Sequence, residues 1–350
     1  MKKTKTSRVS IRDIARASGN SPTHVSYALQ NRPRVKKATR DRILRIARRL
    51  GYVPDARLAS WMSNVREAKT KDLLPIAWLN TNEEKDAWRK YKFMSPCFEG
   101  AQERALQLGY RLDELWLHEP GMSVARINRI LYQRGIEGVI VTPPAKHIRF
   151  DWNHLAGVSI GGELFAPRLH RVDADIFYNL LLALKMVKRF GYQRIGVCLS
   201  EMFDRYSHHS SRAAARYFQE TTPRLARVPA LFYTSDHDRY GQATQKQITT
   251  WLARHRPDVI VCHNNHMLAW MEEAGYRVPK DIGIVHLATD DDVSDWAGIS
   301  SNRREEGALS VELVVSLMQS RQFGVPKIDR NTSIRGTWHP GRTLLIPKPV

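Results

Sequence analysis

Between residues 73 and 289 short apolar runs alternate with segments of helical spacing, and this rhythm constrains the fold more than any other feature of the chain. LLPIAWLN (73–80), IEGVIVTP (136–143), RIGVCLS (194–200), DVIVCHN (258–264) and DIGIVHLAT (281–289) are apolar at successive positions instead of every second one. A strand of that kind belongs in a sheet covered on both faces. FEGAQERALQLG, VARINRILYQRG, YNLLLALKMVKRFG, SSRAAARYFQE, YGQATQKQITTWLARH and MLAWMEEAG supply the covering helices, with YRLDELWL and ALFYTS as further strands. Strand and helix in alternation imply a parallel, doubly wound α/β arrangement. Roughly ten such units exceed one sheet, so two similar lobes are expected.

The first 54 residues follow another pattern. Ser10 with Asp13 reads as a capping-box start, Ile11, Ile14, Ala15 and Ser18 make a helical stripe, and Gly19 supplies a left-handed stop. Ser21 followed by Pro22 opens a second helix, PTHVSYALQ, and a third runs from about Thr39 to Leu50 with Gly51 as its stop. Three short helices with a tight turn after the first are helix-turn-helix geometry. Residues 1–71 hold nineteen Lys and Arg against Asp13, Asp41, Asp55 and Glu67, so this fifth of the chain carries most of the net charge of +20. Positive charge concentrated on a patterned segment is the footprint of a nucleic-acid-binding module.

Other classes find little support. Cys97, Cys198 and Cys262 are too few and too scattered for a disulfide framework or a zinc module, which fits a reducing cytoplasm. His263 and His266 beside Cys262 lack a fourth ligand, so no metal is expected. No cofactor is expected either: there is no glycine-rich phosphate loop, nucleophile elbow or pair of metal-binding carboxylates to suggest an enzyme. No run approaches the length of a membrane span.

The string from Val9 to Pro54 resembles the lac repressor family of bacterial regulators. Matching elements are Val9 to Ala15, Gly19, Ser21 to Ser26, Arg34 with Val35, Thr39 with Arg40, and Leu50 to Pro54; weaker landmarks follow at 135–140, Asp175, 191–195 and 337–343. The resemblance implies an all-α helix-turn-helix head and two Rossmann-like, doubly wound, periplasmic-binding-protein-like subdomains with three crossings between them. It also implies a homodimer that binds a double-stranded operator and a small-molecule effector, a carbohydrate among the candidates. The expected organisation is a head at 1–54, a hinge at 55–71 and a core at 72–350. Lobe 1 spans about 73–173 plus 300–325, and lobe 2 about 174–299 plus 326–350.

On that model the second helix lies in a major groove, and a dimer demands an approximately palindromic site. Pro22, Thr23, His24 and Tyr27 are placed to meet base edges; Ser10, Ser21, Ser26, Arg34, Thr39 and Arg40 are candidates for phosphate contacts. Tyr27 stands where the family usually has Arg, so the operator should differ from the common one. In the hinge, Leu58 and Trp61 occupy the positions from which the family inserts an apolar wedge into the minor groove; packing of Trp61 against a second hinge or the core is the alternative.

Ligands in such folds bind at the carboxyl ends of strands. Asn80, Asp175, Arg212, Tyr240, Asn264 and Asp290 are expected to face that cleft. Two family positions differ: Asn265 replaces the usual Asp after Asn264, and His286 to Thr289 replace a glycine-aromatic-acidic run. Two readings therefore stand, an effector-controlled repressor and a dimeric DNA-binding protein whose core serves only dimerisation.

Overall fold

The computed structural model describes residues 9–29, 35–52, 73–86, 89, 94–143, 147–161, 166–234, 242–290 and 293–345. The head consists of α1 (Ile11–Ser18), α2 (Pro22–Leu29) and α3 (Lys37–Arg49). At the start of α1 the Ser10 hydroxyl accepts the Asp13 N–H at 3.3 Å, and the Asp13 carboxylate accepts the Ser10 N–H at 2.9 Å. Gly19 ends the helix at φ +65°, a conformation that costs glycine no Cβ clash. Ile14, Val25 and Ile43 are wholly buried where the three helices meet, with Ala15, Ala28, Val35 and Ala47 around them. The α3 helix begins two residues before Thr39, since the chain turns helical as soon as it leaves the extended Lys36.

Among the described residues the core holds two six-stranded sheets. The first contains β1 (Leu74–Asn80), β2 (Tyr110–Trp116), β3 (Gly138–Val141), β4 (Ala156–Ile160), β5 (His170–Ala174) and, from far along the chain, β11 (Asn331–Ile334). Its order is β11–β5–β4–β3–β1–β2, and every pairing is parallel. The second contains β6 (Ile195–Ser200), β7 (Leu231–Tyr233), β8 (Val259–Cys262), β9 (Gly283–His286), β10 (Gly298–Ser300) and β12 (Thr337–His339), in the order β12–β10–β9–β8–β6–β7. All its pairings are parallel except β12, which runs antiparallel on β10.

The apolar runs are explained by burial on both faces. In β1 and β3, Ile76, Trp78 and Ile140 join one core, with residues of α4 (Met94–Gln107) and α11 (Arg303–Gln319); Ala77, Leu79, Val139 and Val141 join another, with α5 (Val124–Gln133). In the second sheet Val197, Leu199, Val259 and Val261 meet α6 (Ile176–Arg189) and α8 (Ser210–Thr221). Their neighbours Cys198, Ile260 and Cys262 meet α9 (Gln242–His255) and α10 (Met267–Glu273). The α4 and α11 backbones touch: a Cβ on Gly307 would lie 1.8 Å from the Cys97 carbonyl oxygen.

The chain crosses between sheets after β5, after β10 and between β11 and β12. The lobe boundary expected at 325/326 is displaced, because residues 331–334 pair with β5 and so extend lobe 1. Adding that strand moves the edge of the first sheet from β5 to β11. Among the described residues no helix is long and apolar enough to cross a membrane.

Candidate functional site

Packing of α2 on α1 fixes which of its side chains face outward. Val25 and Ala28 are buried, leaving Ser21, Pro22 and Thr23 exposed and His24, Ser26 and Tyr27 half-buried. The Ser21 hydroxyl accepts the His24 N–H at 3.2 Å, so it caps the helix while still lying at the positive end, where an anion is favoured. The Ser10 hydroxyl is committed to Asp13, to which it donates at 2.7 Å; this hydroxyl and the Ser10 amide hold the Asp13 carboxyl below its ordinary range. Thr39 and Arg40 lie half-buried in the first turn of α3, and the Arg40 guanidinium donates to the Val35 carbonyl at 3.1 Å. Arg12, Arg16, Lys36, Lys37, Arg45, Arg48 and Arg49 are exposed around this core, which gives the head a basic surface. Arg34, Leu58, Trp61 and Tyr240 lie outside the described residues.

Where the carboxyl ends of both sheets approach the crossings, each of the five described cleft candidates has at least one side-chain polar atom bonded within the protein. The Asn80 amide donates to the Lys85 carbonyl at 2.7 Å and accepts the Asn82 N–H at 3.0 Å, organising its own loop. Asp175 caps α6 through the Tyr178 N–H at 3.0 Å and lies 3.8 Å from Arg335 Nε. Asn264 donates to the Tyr233 hydroxyl at 3.1 Å and accepts the His266 N–H at 2.8 Å. Asp290 accepts the N–H groups of Ser301 and Arg303, at 2.8 and 3.3 Å, and so pins the crossing after β10. Arg212 donates from Nε to Asp204 at 2.9 Å and lies 4.0 Å over the Phe232 ring.

Sequence reasoning missed the groups that join the lobes. The Arg171 guanidinium, on β5, meets the His208 ring in the turn after α7 (Glu201–Tyr206), and also lies 3.7 Å from Asp173. At the start of α11, Arg303 pairs with the buried Glu306 at 2.9 Å, and its charge reaches both Asp173 in lobe 1 and His263 in lobe 2. Burial pushes the Asp173 carboxyl up. His263 is stacked between Phe203 and His286, at 4.3 and 5.3 Å; burial and then Arg303 push its ring down to about 4, so it is neutral above that pH. His266 stacks separately on Trp270. The missed signals were an arginine and an acid alternating on a short strand and an arginine–glutamate pair three apart on a helix, both easily read as solvated surface.

Asp204 is the other unread centre. Only 1% exposed, it accepts hydrogen bonds from the Ser211 hydroxyl (2.7 Å), the Arg212 N–H (3.0 Å), Arg212 Nε (2.9 Å) and His209 Nδ1 (2.9 Å). Burial raises its carboxyl, but the bonds from His209, Arg212 and Ser211 outweigh that and leave it below its ordinary value.

Residues 10–55 match the family described as bacterial regulatory proteins, lacI family, and residues 184–338 match the periplasmic binding protein-like domain. The HTH-type transcriptional repressor PurR of Vibrio vulnificus (strain CMCP6) is 22% identical over 287 residues, covering 79% of this chain and 80% of that protein. Among solved structures, a complex of the transcriptional regulator CelR with cellobiose superposes with a TM-score of 0.56 at 16% identity, over 96% of this chain and 100% of the other. The lac repressor dimer bound to operator and the anti-inducer ONPF gives 0.54 at 16% identity, over 97% and 100%.

Proposed function

Because the chain belongs to the lacI family of bacterial regulatory proteins, with a DNA-binding helix-turn-helix head and a periplasmic-binding-protein-like core, we propose that it represses transcription as a homodimer on an approximately palindromic operator. The observation that carries this reading is the amino-terminal end of α2. Val25 and Ala28 anchor that helix inward, while Pro22, Thr23 and His24 project from a surface with an excess of arginine and lysine. Thr23, His24 and Tyr27 read base edges; Ser21, Ser26, Arg34, Thr39 and Arg40 hold phosphates; Leu58 and Trp61 act at the hinge. Ser10 serves chiefly to cap α1.

In the same proposal a small molecule between the lobes sets operator affinity by binding one arrangement of the lobes better than the other. CelR in its complex binds cellobiose and the lac repressor binds ONPF, which makes carbohydrates the first class to test. A second reading, a core that only dimerises, is favoured by one observation: Asn80, Asp175, Arg212, Asn264 and Asp290 already have partners. Sedimentation and operator titration of the full chain against a panel of sugars and metabolites separate the two. A compound that stabilises the chain and shifts operator affinity supports effector control, and a dimer indifferent to the whole panel supports the second reading.

A further inference from the structure

At the end of the first sheet remote from the lobe crossings lies a cavity of about 230 Å³, near the amino-terminal ends of β4 and β5. His170, Gln322, Phe323, Lys327, Ile328 and Arg330 line it, and among the described residues no acidic side chain does. His170 is 6% exposed. Its Nδ1 accepts the backbone N–H of Arg330 at 3.1 Å, which leaves the ring proton of a neutral imidazole on Nε2. Burial and the Arg330 guanidinium both favour that neutral ring, against an opposing pull from the neighbouring Asp329.

Nε2 faces Arg330 Nη2 at 3.4 Å, and this nitrogen is itself a donor, already giving one hydrogen to Gln322 Oε1 at 3.2 Å. Two N–H donors thus point at one another with no acceptor between them, and a lysine lines the same cavity. Such an arrangement is completed by an atom that accepts from both and carries negative charge.

We propose that this cavity binds a small oxyanion, through His170 Nε2–H, the Arg330 guanidinium and the Lys327 ammonium. Its volume exceeds what the anion alone fills, and Phe323 and Ile328 leave room for an apolar body beside the charge. The cavity lies at the opposite end of lobe 1 from the cleft, so the two sites share no lining.

The test is thermal unfolding of the full chain, with sodium phosphate replacing sodium chloride at constant ionic strength, and a parallel series with acetate to separate tetrahedral from planar oxyanions. The midpoint should rise and saturate with at least one of the two. Half-saturation should move to about tenfold higher anion in Arg330→Gln and to an intermediate value in Arg330→Lys, which keeps the charge without the planar fork. Arg330 is exposed, so its replacement leaves the fold intact. Absence of a saturable rise with either anion, or the same curve in Arg330→Gln as in the wild type, overturns the proposal.

Discussion

Replacing Asp204 with Asn keeps the side chain's shape and removes its charge. The oxygen that serves Ser211 and the Arg212 N–H can be reproduced by Oδ1 of Asn. The other oxygen becomes an NH2 group, placed 2.9 Å from Arg212 Nε, where donor now faces donor, and 2.9 Å from His209 Nδ1, which accepts from it once the ring proton sits on Nε2. The bond from Arg212 to an ionised group is lost at roughly 1.5–3 kcal/mol, and the bond to His209 is weakened to a neutral one at a cost of roughly 1 kcal/mol. Arg212 and His209 are 50% and 69% exposed and recover part of that from water, so a net loss of about 1–3 kcal/mol is expected. Urea unfolding of the wild type, Asp204→Asn, Arg212→Ala and the double variant measures it, and a coupling of about 1 kcal/mol or more should link the two positions. The carboxyl is depressed in the folded state, so its contribution is complete above its unfolded value near 4 and fades as the pH falls through the folded one; the gap between wild type and Asp204→Asn should close there. A loss below about 0.5 kcal/mol, or a gap unchanged down to pH 3, would refute the reasoning.

Three further outcomes are expected. Gly19→Ala meets no neighbour within 4 Å but forces a Cβ into the left-handed region, so it should cost about 1 kcal/mol, read as about fivefold faster amide exchange in α1; unchanged exchange contradicts the turn geometry. His263 is held neutral in the folded core, so stability should be full above its unfolded value near 6.5 and decline as the pH falls towards 4; His263→Phe should flatten that decline in pH-dependent melts. Tyr27→Arg should change base preference at one position per half-site by about 1–3 kcal/mol, whereas Thr39→Ala should weaken all sequences alike, both read by competition with variant duplexes.

Much of the architecture was legible because its causes are local. Ser10, Asp13 and Gly19 specify the bounds of α1 by capping chemistry, and the apolar runs at 76–79 and 259–262 announce strands buried on both faces. Strands whose burial depends on distant partners were not legible. His170–Ala174 alternates buried and half-buried residues, and Asn331–Ile334 buries only Ile334, so neither carries an apolar run; the first is a strand because it lies between β4 and β11, and the second because it lies beside β5. The cleft was the hardest part to read. Position along a strand indicated Asn80 and Asn264, but whether an amide faces a ligand or its own loop depends on residues two to five positions on and on Tyr233 across the sheet. Arg171 meeting His208, and Arg303 held between Asp173 and His263, arise only once the chain has crossed between lobes.

Selection of bound duplexes from a random DNA pool by the full chain at physiological salt tests the central claim most directly. Two heads presenting α2 in successive major grooves should enrich a motif of two inverted half-sites, with affinity falling steeply as salt rises. A pool that stays random, or a motif without two-fold symmetry, contradicts paired recognition helices as the basis of function.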